Sequence, residues 1–296
     1  MLLLVPMAVP LADAQRRPKR WKDFYKKWRD FQKKAREEHE RQEAKKITGK
    51  PGTYERVNVT LDGVKRRFRL YVPDFNKKTD RLPLVLLFHG MGGNGEQIAK
   101  ATKFEELAKE EKFMVCCPDA VEGKWAIGKD AHVKKDIRFV QGILQEIDKA
   151  FPLNRNRIYA AGMSMGGYFC HHLAQARSKS IAAIAAHSGG LGTLGATGLK
   201  AKRKYPVLLI HGTKDEIVPV DRSRKAEEAY KAAKHVVRLI EVEGLGHKWA
   251  EEPDATRRIW QFFRLHWLNG SFKPASRPAR ADPDPDPEPD PDDDAK

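Results

Sequence analysis

Between residues 82 and 268 the chain alternates short apolar runs with helical stretches, and that alternation limits the fold more than any other feature. LPLVLLF (82–88) precedes a helical pattern over 96–111, and FMVCCP (113–118) precedes one over 136–150. RIYAAG (157–162) leads into 165–177, and IAAIAAHSG (181–189) follows. PVLLIHG (206–212) leads into 221–234, HVVRLIEV (235–242) is the last run, and 254–268 closes the series. Runs of four to eight apolar residues with no polar alternation belong to strands buried on both faces. Strands alternating with helices give a mainly parallel sheet covered by helices on each side. Ahead of them, YERVNVTLDGVKRRFRLYVP holds two alternating runs about Asp62-Gly63, the pattern of a β-hairpin.

Four segments are expected. Residues 1–14, MLLLVPMAVPLADA, read as the apolar core of a signal peptide ending in Ala12-Asp13-Ala14, so a secreted or periplasmic protein is expected. Residues 15–50 contain a basic amphipathic helix over 18–46, with Trp21, Phe24, Tyr25, Trp28, Phe31 and Ala35 at three- and four-residue steps. That face either docks on the rest of the chain or meets a foreign surface, and its Lys and Arg residues favour weak binding to anionic surfaces. Residues 51–272 form the catalytic domain. Residues 273–296, with PDPDPEPDPDDD, are too rich in Pro and Asp to bury a core and are expected to be disordered.

The net charge of +16 is therefore uneven: remove the acidic tail and the remainder is more basic still. No nucleic-acid-binding module accompanies that charge, so no specific nucleic acid is expected. No stretch reaches the ~18 apolar residues of a membrane span. Cys116, Cys117 and Cys170 give no disulfide framework, and the adjacent pair in an apolar run reads as buried hydrophobes.

Gly162-Met163-Ser164-Met165-Gly166-Gly167 lies between an apolar strand and a helix. That is the context of a nucleophile elbow, a turn so tight that the positions two before and two after the serine must be glycine. The serine then stands at the carboxyl end of the sheet beside a helix N-terminus. Serine at its ordinary pKa is a poor nucleophile, and it needs a base held by a carboxylate. Asp215 follows PVLLIHG, and His247 follows the final strand in GLGHKW, so the order is Ser, acid, His. Glu216 and Asp221 are rivals for the acid, Asp221 reading as the N-cap of the next helix. His187 and His211 are rivals for the base, His211 reading as structural and His187 as lining the pocket. Backbone N–H groups of Met165 and of Met91, in the glycine-rich His89–Gly95 loop, are expected to form the oxyanion hole.

HGMGGNGEQIA, FMVCCPDA, IYAAGMSMGGYFCHHLA, HGTKDEIVP and GLGHKW together resemble the polyhydroxybutyrate depolymerase and feruloyl-esterase branch of the α/β-hydrolases, across residues 55–268. The resemblance implies an α/β-hydrolase fold without a large lid domain, secretion, and a triad of Ser164, Asp215 and His247. It implies no cofactor or metal, and ester substrates that are often polymeric or phenolic. It also sets Trp125 and Trp249 beside the substrate. Met91 stands where this branch often has cysteine, and Met165 where a small or polar residue is common. Two alternatives remain at this stage: a prolyl-oligopeptidase-like peptidase, and a non-catalytic surface-binding protein on the same scaffold.

Overall fold

The computed structural model describes residues 46–271 apart from 62, 129, 130, 252, 253 and 269. The expected signal peptide, the basic helix over 18–46, Asp62 of the hairpin turn and the acidic tail lie outside the described residues. Eight strands form one sheet in the order β1-β2-β4-β3-β5-β6-β7-β8: Gly52–Leu61, Val64–Val72, Leu82–Phe88, Met114–Pro118, Leu153–Met163, Ala183–His187, Val207–Gly212 and Val237–Val242. The hairpin is present as β1–β2, bulged between Tyr54 and Val57. β2 pairs antiparallel with β4, while β4, β3, β5, β6, β7 and β8 are mutually parallel. β2 alone runs against the others.

Among the described residues six helices cover the sheet: α1 (Gly95–Thr102), α2 (Phe104–Glu111), α3 (Ala131–Ala150), α4 (Met165–Arg177), α5 (Asp221–Ala232) and α6 (Ala255–Arg264). Side chains of a strand point alternately to its two faces. In β3, Leu84, Leu86 and Phe88 join one core with α3, α4 and α5 residues such as Ile143, Leu173 and Tyr230. Val85 and Leu87 join a second core with Phe104 of α2 and with Ile259, Trp260 and Phe263 of α6. A strand that feeds two cores must be apolar throughout, which is why these segments show no alternation. Cys116 and Cys117 are fully buried on opposite faces of β4, with thiols that burial pushes well up.

Three element boundaries differ from the sequence expectation. The single helix over 96–111 is two, broken at Lys103, whose φ of 53° is left-handed while its N–H still bonds Ala99. The helix expected from 136 begins at Ala131, so Asp136 is an interior residue. There its Oδ1 pairs with Arg66 at 2.6 Å and its Oδ2 accepts from Ala126 N–H at 2.8 Å, both partners of the pair being buried. The closing helix ends at Arg264, and His266–Trp267 is a short strand paired with Gly270–Ser271. Between β6 and β7, residues 189–204 carry only two 3₁₀ turns, so no lid stands there.

Candidate active site

The chain passes from β3 to β4 on one side of the sheet and then crosses to β5 on the other side of β3. At such a switch point the loops diverge and leave a crevice outside the carboxyl ends of the strands. Ser164 stands there, one residue past β5, beside the loop that leaves β3. A Cβ placed on Gly90 would lie 3.5 Å from Ser164 Cβ.

Ser164 has φ 55° and ψ −120°, a left-handed conformation that costs a non-glycine residue roughly 1–3 kcal/mol. Its own N–H donates to His187 O at 2.8 Å, and its carbonyl accepts from Tyr168 N–H at 3.0 Å. The flanking glycines are sterically required. A Cβ on Gly162 would meet Gly166 C at 2.5 Å, and one on Gly166 would meet Phe88 O at 2.2 Å. α4 therefore presses directly on the end of β3. Met165 is the first residue of α4, so its N–H has no intrahelical acceptor.

The loop after β3 is pinned at four points. Ala120 N–H donates to His89 Nε2 at 3.1 Å, Gly92 N–H to Gly123 O at 2.7 Å, and Gly95 N–H to Asp119 Oδ1 at 2.7 Å. Trp125 Nε1–H donates to His89 O at 3.1 Å. Gly92 and Gly93 spend their N–H groups on Gly123 and Gly90, whereas the Met91 N–H between Gly90 and Gly92 meets no acceptor among the described residues. Two N–H groups, on Met91 one residue past Gly90 and on Met165 next to Ser164, thus remain without an acceptor among the described residues. His89 is fully buried, and burial lowers its pKa, with the Gly90 carbonyl acting in the opposite sense.

Asp215 lies in the turn after β7 and is buried. Its Oδ1 accepts from Ile217 N–H at 3.0 Å and Val218 N–H at 2.9 Å, and its Oδ2 is 2.7 Å from His247 Nδ1. Burial alone would raise the carboxyl; hydrogen bonds from His211, His247 and Val218 N–H outweigh it and hold it well below the ordinary range. A histidine whose Nδ1–H is held by a carboxylate presents Nε2 as the basic nitrogen. The structure thus joins two of the three expected residues directly. No hydrogen bond joins Ser164 Oγ to His247 among the described residues. The carboxyl ends of β5, β6, β7 and β8 lie side by side, Met163 against His187 and Gly212 against Val242, so all three loops leave one edge.

The rival residues separate cleanly. Glu216 is exposed. Asp221 is the first residue of α5 rather than its cap, which is Val220, and it pairs with Arg224 at 3.0 Å. His211 belongs to β7 and not to the turn; it is fully buried. The residues expected to line the substrate are mostly buried props. His187 has no exposed surface: its ring stacks on Trp249 at 4.8 Å, its Nε2 accepts from Ala250 N–H, and burial pushes it down to about 3. It braces the loop that carries His247. Trp125 stacks on Phe169 at 4.8 Å and props the loop after β3. Trp249 donates from Nε1 to Thr256 Oγ1 and lines a cavity of about 340 Å³ between α2 and α6, whose walls include neither Ser164 nor His247. Asp119 and the buried His89 are site supports that local pattern does not reveal, because each acts through a contact distant in sequence, whereas His211 is structural as expected. Among the described residues, no group of three or more His, Cys, Asp or Glu side chains could hold a metal ion.

Residues 126–266, which include Ser164, Asp215 and His247, match the phospholipase/carboxylesterase family. The chain has the α/β-hydrolase fold. It is 29% identical over 200 residues to a bifunctional acetylxylan esterase/xylanase of Neocallimastix patriciarum, covering 67% of the chain and 28% of that protein. It is 28% identical over 142 residues to feruloyl esterase B of Piromyces equi, covering 46% of the chain and 26% of the relative. The hydrolase thus matches about a quarter of the length of each of these relatives. A thermostable esterase of known structure superposes with a TM-score of 0.60 at 21% identity, covering 72% of this chain and 63% of that one, a likeness of fold. No helix among the described residues is long and apolar enough to cross a membrane.

Proposed function

We propose that this α/β-hydrolase is a serine esterase working through an acyl-serine. Ser164 Oγ attacks the ester carbonyl while His247 Nε2 takes its proton, and Asp215 fixes the imidazole and stabilises the imidazolium. The carbonyl oxygen becomes an oxyanion that the N–H groups of Met91 and Met165 face, each such donor being worth roughly 3–4 kcal/mol. The tetrahedral centre collapses, the C–O bond to the alcohol breaks, and His247 returns the proton to the leaving alcohol. Water, deprotonated by His247, then releases the acid and regenerates Ser164. The observation that carries this reading is the 2.7 Å Asp215–His247 pair at the sheet edge where Ser164 holds a left-handed backbone.

The substrate we propose is an acetyl or hydroxycinnamoyl ester on a polysaccharide. Support comes from the esterases whose sequences the chain resembles and from the absence of a lid over 189–204, which leaves the cleft open to a chain-like alcohol. Export by a signal sequence over 1–14 fits such a polymer. The test is labelling by a fluorophosphonate probe, followed by hydrolysis of nitrophenyl acetate, methyl ferulate, acetylated xylan and polyhydroxybutyrate. Ser164→Ala should fold, lose the label and lose several orders of magnitude in turnover. Equal labelling of wild type and variant would remove Ser164 from the chemistry.

A further inference from the structure

His211 carries more contacts than a strand residue needs. Its Nε2 lies 2.7 Å from Val218 O and 3.4 Å from Asp215 Oδ2, and its Nδ1 lies 2.6 Å from Ser223 Oγ. A carbonyl and a carboxylate can only accept, so the hydrogen on this side sits on Nε2. Val218 in turn donates its N–H to Asp215 Oδ1 at 2.9 Å. His211 and Asp215 therefore hold Val218 by its carbonyl and its N–H respectively and close a ring around the acid. On the other side, Ser223 has one hydroxyl hydrogen for two neighbours, His211 Nδ1 at 2.6 Å and Gly189 O, to which it donates at 2.8 Å. A Cβ on Gly189 would sit 3.1 Å from Tyr168 N, on the helix that Ser164 begins. A continuous path thus runs from the acid loop through an imidazole and a hydroxyl to the backbone packed behind the nucleophile.

We propose that His211 is a positioning residue: its Nε2–H holds Asp215 in line with His247, and its Nδ1, through Ser223, ties the acid loop to the segment behind Ser164. This rests on the esterase reading above. The groups that face it are Asp215 from its own loop, His187 from β6, Ser223 from α5 and Glu241 from β8, its register partner. Glu241 is held by Arg224 at 2.8 and 2.6 Å, so an ion pair and not a lone carboxylate lies on that side. The Nε2–H dipole draws charge from the same Oδ2 that His247 uses. Without it, Oδ2 holds the imidazolium form of His247 more strongly, and the acid limb of the pH–rate profile moves to higher pH.

The experiment compares His211→Leu, His211→Gln and Ser223→Ala in the full chain. Nitrophenyl acetate hydrolysis is followed against pH, and the downfield proton between His247 and Asp215 by proton NMR. The leucine variant should lose about 10²-fold in kcat with KM nearly unchanged, as for a misplacement of about 1 Å. Its acid limb should rise and its downfield resonance should shift. Glutamine, with a carboxamide N–H near the Nε2 position, should recover most of the rate and the limb, and Ser223→Ala should fall between. Wild-type kcat and pH profile in the leucine variant would overturn the proposal. So would a loss of rate that glutamine does not recover while limb and resonance stay in place. If leucine does not fold, the glutamine and alanine variants decide: an unmoved limb and resonance in Ser223→Ala is a failure. If the wild-type protein hydrolyses no ester, the esterase reading falls. The resonance then decides alone, unchanged in His211→Leu meaning that His211 does not hold Asp215.

Discussion

Lowering the pH from 7 to 5 should remove a large part of this protein's stability, because it folds with neutral histidines sealed in its core. His171 and His187 have no exposed surface, and burial pushes each down to about 3. In the unfolded chain the same groups titrate near ~6.5. With the folded value below the unfolded one, their stability is fully present above pH ~6.5 and is lost as the pH falls toward 3. At pH 5 each unfolded imidazole has bound a proton that its folded counterpart refuses, and the difference is about 2 kcal/mol per histidine. Together the two cost about 4 kcal/mol, against a total of roughly 5–15 kcal/mol for a domain. His89, His172, His235 and His266 are shifted the same way and can only add to the slope. The assay is urea unfolding followed by circular dichroism at pH 7, 6, 5.5, 5, 4.5 and 4. Between pH 5.5 and 4 the free energy should fall by at least about 2.7 kcal/mol per pH unit, the slope of two protons. A free energy unchanged from pH 7 to 5 would refute the reasoning, since no redistribution among the other groups removes two buried neutral imidazoles.

Asp215→Asn should lower kcat by roughly 10⁴-fold, whereas the exposed Glu216→Gln should leave it within about twofold; the reverse ranking would make Glu216 the acid. Gly166→Ala must drive a methyl to within 2.2 Å of Phe88 O, so it should cost at least ~3 kcal/mol in urea and abolish probe labelling. A soluble variant with an unchanged urea midpoint would show that the elbow relaxes. Removal of residues 1–49 should lower the melting temperature by a few degrees and, at low salt, lose retention on anionic vesicles, a pull that added salt screens. Retention that survives truncation would assign the binding to the rest of the chain.

Much of this fold is legible in the sequence, because its signals are local. Strands such as 82–88 are apolar on every residue since each supplies two cores, and the turn at Ser164 writes itself as glycines at fixed spacing. The order of strand ends, a property of parallel topology, places Asp215 and His247 at the same sheet edge as Ser164. What escaped was tertiary. Neither glycine nor proline marks Lys103, yet the helix breaks there. Asp136 has the composition of an N-cap, and only the burial of Arg66 from β2 shows why it sits inside a helix. Trp249 lies two residues past His247 in sequence, but its ring turns inward onto His187 and Phe104. Adjacency in sequence does not say which way a side chain faces.

The left-handed backbone at Ser164 sets chemistry and folding against each other at a single residue. Glycine relaxes there at no steric cost, so Ser164→Gly should gain on the order of 1 kcal/mol while abolishing any nucleophile. A selection for heat resistance alone would therefore enrich an inert protein, and drift freed from a need for ester cleavage would move the same way. On the esterase reading proposed above, serine at position 164 persists under a demand for turnover, which makes this codon a record of whether a lineage still uses that activity.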